Sequence, residues 1–419
     1  MTSNHSIGIH GIYTYFPRLY VSQEDCESYD GVGSGKYTIG LGQRSMAIAD
    51  PQEDIISMAM TACDNLMEQC NLTPNDIGRL EVGTETIVDK SKSIKTHLME
   101  KFNEAGNYDI VGVDTINACY GGTNALFNAV NWIESSMWNG KYAIVLTGDI
   151  AIYEKGPARP TGGAGMVAIL VGPDAPLILE SDTVVSYFEH AYDFYKPNMS
   201  SEYPTVDGPL SNECYMRAIE NCYENFRGKV GSQFDYALLH APYQKLVRKA
   251  YHRIYELETQ EKKAPKEDSE ISYEEKVKPG LGLSLECGNM YTGSVWASLN
   301  SLLVSKDVVP DYGKRVMVFS YGSGLASSMF ALRMVKPEKI SSIGASFDDR
   351  LKTRQRVSPE QFHSMVDQRE TETTPSSSES TPSVYSGTYI RTNVDSLGRR
   401  SYQKTFARAF RTLKRHIHL

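Results

Sequence analysis

The stretch YDIVGVDTINACYGGTNALFNAVNWI, residues 108–133, passes from an apolar β-like run through a small-residue turn into a helix-like run. Ile110, Val111 and Val113 mark Tyr108 to Ile116 as a strand, while Leu126, Phe127, Val130 and Ile133 recur at helical spacing in a helix expected to end near Trp138. Cys119 then falls at the first turn of that helix. Unpaired backbone N–H groups and the positive end of the helix dipole favour the thiolate there, the form that attacks acyl carbons. Gly121 and Gly122 are read as room for a substrate to approach. Taken alone, Cys119 is read equally well as a buried cysteine in a small-residue turn.

Working outward, the same order of segments occurs twice, the mark of an internal duplication. The strand-like RLEVGTE (79–85) precedes a basic helix-like stretch, as FDYALLH (234–240) precedes YQKLVRK (243–249). The Cys119 turn opens one helix, and GNMYTGS (288–294) opens another through Trp296, Leu299 and Leu303. KYAIVLTGD (141–149) matches KRVMVFSYG (314–322), and each is followed by a further apolar run, 165–171 and 326–332. Glu85 and His240 are thus counterparts at strand ends, and Cys119 and Asn289 are counterparts at helix starts. In a pseudo-twofold α/β arrangement, ligands gather where such ends meet. Individually, Glu85 reads as a solvated strand end, His240 as a core histidine and Asn289 as an N-cap; four polar residues on one rim point to a site.

Composition narrows the function classes. With 43 Lys+Arg against 51 Asp+Glu, the formal charge of −8 argues against a general nucleic-acid surface. No apolar run approaches the ~18–20 residues of a membrane span, and Met1 to His10 lacks the order of a signal peptide, so the expected compartment is cytoplasmic. Seven cysteines with no C-x-x-C pair indicate neither a disulfide framework nor a zinc site, and no metal is expected.

The strings GKYTIGLGQ (35–43), VGTETIVDKSKSIK (82–95), NACYGGT (117–123), GDIA (148–151), ARPTGG (158–163), HAYDFYKP (190–197), SEYP (201–204), GNMYT (288–292) and FSYGSGLA (319–326) closely resemble the eukaryotic-type hydroxymethylglutaryl-CoA synthases of the thiolase-like superfamily. The resemblance implies an α/β thiolase-like fold with two pseudo-symmetric halves, 1–180 and 181–419, of layered sheets and helices. It implies a soluble acyltransferase that condenses acetyl-CoA with acetoacetyl-CoA and feeds the mevalonate route to isoprenoids. Its partners are those two substrates and a second copy of itself, and it needs no cofactor. Cys119 would be the nucleophile, Glu85 the general base, with a pKa raised by burial from its ordinary ~4.3, and His240 the residue that orients acetoacetyl-CoA. The same resemblance makes Thr161, Ser211, Asn289 and Ser323 ligands to the acyl or pantetheine part, and Lys245 and Lys249, four apart on one helix face, partners for CoA phosphates. Ser34, where the family often has Ala, is counted with the CoA-binding positions. Asp149 and Asp193 match acidic positions that order the site.

Pro157 stands where the family commonly has Asn and lacks a side-chain donor, which puts one CoA contact in doubt; Cys287 also stands where the family usually has Asn. Residues 259–279 read as a charged surface loop, 371–383 as a low-complexity segment, and Tyr385–Tyr389 as a return to strand. In the basic tail, 403–419, Phe406, Phe410, Leu413 and Ile417 recur at helical spacing, a pattern that more often packs on its own protein than on a membrane. Two other readings stand beside the synthase: a condensing enzyme acting on carrier-protein thioesters with a Cys-His-Asn set, and a non-catalytic CoA-binding homologue.

Overall fold

The computed structural model describes residues 6–231, 233–259, 265–371 and 381–406. Nine strands build the main sheet: β1 (Gly8–Tyr15), β2 (Ile77–Gly83), β3 (Asp114–Thr115), β4 (Tyr142–Ala151), β5 (Gly163–Gly172), β6 (Leu177–Phe188), β7 (Tyr236–Leu239), β8 (Arg315–Gly322) and β9 (Ala326–Met334). Their order is β7-β8-β9-β6-β1-β5-β4-β2-β3. The expected duplication is visible in the pairing. In one half β2 runs parallel to β4, β4 antiparallel to β5, and β5 antiparallel to β1; in the other, β7, β8, β9 and β6 repeat that pattern. The halves join where β1 and β6 share two residue pairs, Gly8 with Ile178 and Ile9 with Leu177. The expected division at 180/181 falls inside β6; the link between the halves is 173–176.

Alternation along the strands explains the layers. Val145, Val167 and Ile169 of one half and Leu238, Val318 and Phe330 of the other turn to a single core. That core holds α3 (Gly121–Glu134) and α7 (Ser294–Val304), through residues such as Leu126, Val130, Trp296 and Leu299. The intervening residues, Ile144, Leu146 and Ala168, face α1 (Ile55–Gln69). On the other half, Ala237, Met317 and Ala331 face α4 (Gly208–Val230) and α5 (Gln244–Thr259). Each half-sheet is therefore covered on both faces, and period-2 side chains reach opposite layers.

Four expectations change. Only Asp114–Thr115 of Tyr108–Ile116 is strand, because Gly112 has φ +111 and the segment has a sheet partner on one side alone. Helix α3 stops at Glu134, where the Ser135 hydroxyl takes the Trp132 carbonyl at 2.8 Å. Within 259–279, α6 (Lys266–Lys276) forms, because Ser269, Tyr273 and Val277 are a buried stripe four residues apart amid the charge. The Arg248 guanidinium lies 4.9 Å from the Tyr273 ring and binds Glu270 at 2.9 Å, fastening this helix to α5. The C-terminal hairpin pairs Tyr389–Val394 with Arg400–Lys404, so strand resumes at Tyr389 rather than Tyr385 and Lys404 sits in strand rather than helix. The low-complexity stretch from 372 to 380 and the tail beyond Phe406 lie outside the described residues.

Candidate active site

Strand β2 ends at Gly83 because α3 packs directly on it: a Cβ on Gly83 would lie 2.3 Å from the Gly122 backbone, and one on Gly122 would lie 1.8 Å from the Thr147 hydroxyl. The two glycines after Cys119 thus serve helix-to-strand contact, in place of the expected room for substrate. This contact brings the end of β2 against the start of α3. Glu85 Oε2 accepts the Cys119 backbone N–H at 2.7 Å. Glu85 Oε1 has no hydrogen-bond partner, and the Lys196 ammonium stands 3.5 Å away. Burial pushes the Glu85 carboxyl up to about 8, against the pull of Lys196 and with a further push from Asp149 and Glu202.

Cys119 lies just before the helix, next to Tyr120 at its N-cap, packed in a wall with Tyr153, Tyr291 and Phe194. Burial holds its thiol well above the ordinary range, and the nearby Glu85 and Asp149 carboxylates add to that. The expected thiolate is therefore overturned for the resting site. Burial, with Glu85 and Asp149 close by, outweighs a helix terminus worth at most ~2 kcal/mol.

Asp149, on β4, ties this cluster together. Its Oδ1 accepts from the Thr84 hydroxyl (2.6 Å), the Glu85 N–H (2.8 Å), the Thr86 N–H (3.0 Å) and the Thr86 hydroxyl (2.9 Å). Its Oδ2 accepts from the Thr292 N–H at 2.9 Å and the Thr292 hydroxyl at 2.6 Å, reaching into the Asn289 turn of the second half. Asn289 itself spends its Oδ1 on the Tyr291 N–H and the Ser294 hydroxyl, and its backbone N–H binds Gly162 next to Thr161. Thr161 turns its hydroxyl back to the Ala158 carbonyl at 2.7 Å.

His240 follows β7 on the corresponding rim. Its backbone N–H binds the Phe319 carbonyl, and its ring lies near-parallel to Tyr321 at 6.4 Å. Nδ1 is buried without a partner, and burial depresses the imidazole to about 3, so the ring is neutral near pH 7. Asp193 accepts the Tyr321 hydroxyl and the Gly324 N–H, both at 2.9 Å, which fixes the turn carrying Ser323. The Asp193 carbonyl also binds the Asp207 N–H ahead of Ser211 on α4. The two rims meet where Gly322 faces the Ala118 carbonyl and Tyr120, with no space for a Cβ.

Further out, Ser34 and Lys245 line one groove of about 480 Å³ with Gly33, Gly35 and Lys36. Lys245 and Arg248 also line an adjoining groove of about 1260 Å³. Lys249, exposed one turn along α5, lines neither. The structure adds Lys196, Glu202, Tyr153, Tyr291 and Tyr321 to the residues that the sequence points to. Lys196 and Glu202 were within reach, since both lie in the strings HAYDFYKP and SEYP.

The family model described as "Hydroxymethylglutaryl-coenzyme A synthase N terminal" matches residues 3–176, and its C-terminal counterpart matches 177–272 and 258–405. The chain belongs to the hydroxymethylglutaryl-CoA synthase family. Hydroxymethylglutaryl-CoA synthase A of Dictyostelium discoideum is 47% identical, covering 97% of this chain and 92% of that one. The Homo sapiens cytoplasmic synthase is 44% identical over 95% of this chain and 87% of its own, and the Sus scrofa mitochondrial synthase is 44% identical over 95% and 89%. A solved structure of MvaS in complex with 3-hydroxy-3-methylglutaryl coenzyme A superposes with a TM-score of 0.87 at 30% identity, covering 96% of this chain and 100% of that chain. Like its relatives, this synthase-family chain is an acyltransferase-type enzyme on the thiolase-like fold. Among the described residues, no helix is long and apolar enough to cross a membrane.

Proposed function

We propose that the chain condenses acetyl-CoA with acetoacetyl-CoA and water to give 3-hydroxy-3-methylglutaryl-CoA and CoA, with the labour divided between its two rims. Cys119 Sγ attacks the acetyl carbonyl, the bond to the CoA sulfur breaks, and the CoA thiol leaves with the proton. Glu85 then takes a proton from the methyl group of acetyl-Cys119, and the resulting carbon nucleophile adds to C3 of acetoacetyl-CoA. The C3 oxygen is protonated, and water cleaves the enzyme thioester, restoring the thiol. His240, kept neutral by burial, serves this reading as a hydrogen-bonding group for acetoacetyl-CoA rather than as a cation.

The observation that carries the proposal is the Cys119–Glu85 contact: a carboxylate 2.7 Å from the nucleophile's own N–H, buried and raised to about 8, is poised to exchange protons near neutrality. Incubation with acetyl-CoA alone, followed by intact-protein mass spectrometry, tests it. One acetyl group on Cys119 is expected; an unmodified protein would overturn the reading and leave the carrier-protein condensing enzyme and the CoA-binding homologue.

Thr161, Ser211, Asn289 and Ser323 complete the acyl and pantetheine site in this reading, Ser34 adds to the CoA site, Lys245 and Lys249 meet CoA phosphates, and Asp149 and Asp193 order the rims. The chemistry draws on thioesters and side chains and calls for no separate cofactor. Cytoplasmic placement and a supply of product to the mevalonate route accompany it. A homodimer is supported by edge strand β3, beside which Tyr108, Val113 and Ile116 are exposed by 73%, 62% and 61%. Sedimentation analysis with Val113→Lys checks that assembly.

A further inference from the structure

Lys196 is a long cation in a place where cations are costly: its side chain is 15% exposed and faces Glu85 (3.5 Å), Glu202 (3.2 Å) and the Tyr291 ring (5.3 Å). Its position does not depend on Glu85. It follows the short strand Phe194–Tyr195, paired with Thr205–Val206, and the turn between them is fastened to α8 (Pro359–Thr371). The Glu202 N–H and the Ser201 hydroxyl both donate to Glu370, and the Tyr203 hydroxyl donates to Asp367 at 3.0 Å. Arg159, itself buried, binds the same Asp367 at 2.7 Å.

We propose that Lys196, braced by Glu202, is a positioning residue for Glu85, a role that rests on the reading of Glu85 as the general base. At 3.5 Å the ammonium supports the carboxylate's charge, while Oε1 keeps a lone pair free of hydrogen bonds and open to the incoming proton. The other oxygen is held by the Cys119 N–H, so the two oxygens of Glu85 are divided between aiming and chemistry. Besides Lys196, the ionisable groups facing Glu85 are Asp149, Glu202, Cys119, Tyr153 and Tyr291. Lys196 is the cation among them. Burial opposes its charge, yet Glu85, Glu202 and Asp149 together push its pKa above the ordinary lysine range, so it stays protonated while Glu85 cycles.

The test is single-turnover condensation from preformed acetyl-Cys119 across pH, for the unaltered protein, Lys196→Met, Lys196→Arg, Glu202→Gln and Glu85→Gln, with melting curves as a folding control. Loss of the cation makes Glu85 harder to ionise. Lys196→Met is therefore expected to move the acid limb to higher pH and slow condensation near neutrality by about tenfold or more. Lys196→Arg should restore most of both. Glu202→Gln removes a negative neighbour and should move the limb the opposite way, to lower pH. Shifts of opposite sign distinguish electrostatic positioning from loss of structure. If Lys196→Met folds and its acid limb stays in place, or if both substitutions shift it in the same direction, the proposal is overturned. If Lys196→Met fails to fold, the Arg and Glu202→Gln arms decide. Glu85→Gln that condenses at the unaltered rate would instead overturn the role of Glu85 itself, whatever the lysine variants do.

Discussion

Around Glu85 the rim is crowded with charge, with two further carboxylates, a lysine and six hydrogen bonds converging on Asp149, whereas around His240 burial alone sets the protonation state. Both residues follow equivalent parallel strands, β2 and β7, and both rims abut a central helix start. The scaffold therefore dictates where a polar side chain stands, and the lining dictates what it does. The first rim can store and release a proton near neutral pH. The second offers a neutral ring whose buried Nδ1 has no hydrogen-bond partner within the protein.

The sharpest way to break this contrast is Cys119→Ala, which should abolish acetylation outright while leaving the fold intact; an acetyl group persisting elsewhere on that variant would refute the nucleophile. Next comes Glu85→Ala. Acetylation should survive and carbon–carbon bond formation should fall ~10²–10⁴-fold, as expected for loss of a general base. Simultaneous loss of both steps would mean that Glu85 is structural. His240→Ala should impair use of acetoacetyl-CoA far more than formation of acetyl-Cys119, measured on one preparation by single-turnover acetylation and full condensation. If acetylation collapses equally, His240 activates the thiol and the two rims do not divide the work.

The smallest effect is thermodynamic. Glu85 has a folded-state pKa of about 8 against an ordinary 4.5, so between those values the folded protein binds more protons than the unfolded chain. Its contribution to stability is then complete below pH 4.5 and is lost as pH rises through 8. Glu85→Gln, which cannot ionise, should raise the melting temperature more at pH 8.5 than at pH 5. An equal change at both values would show that Glu85 is not raised.

Much of the rim was legible in the sequence because strand and helix periods repeat in order. That repetition placed Glu85 opposite His240 and Cys119 opposite Asn289. The state of Cys119 was not legible, since its burial, and the approach of Glu85 and Asp149 from other parts of the chain, arise only on folding and together outweigh the local helix terminus. Lys196 stands in a string the sequence shows, HAYDFYKP, but its role does not show there, since it follows a two-residue strand with no periodic pattern and its partners arrive only through folding. Helix α6 was hidden by its composition, because two buried residues four apart, Ser269 and Tyr273, are easily lost among eleven mostly charged positions.

Strand β1 occupies the middle of the main sheet, yet both its neighbours come from far along the chain: residues 166–172 on one side and 177–178 on the other. During synthesis it must wait until the chain has reached residues 163–172 before its first neighbour exists. The seam between the halves is thus a late event in folding, of high contact order and slow to close. Until then β1 is an unpaired ribbon, and its open edges are the kind of surface that invites mispairing.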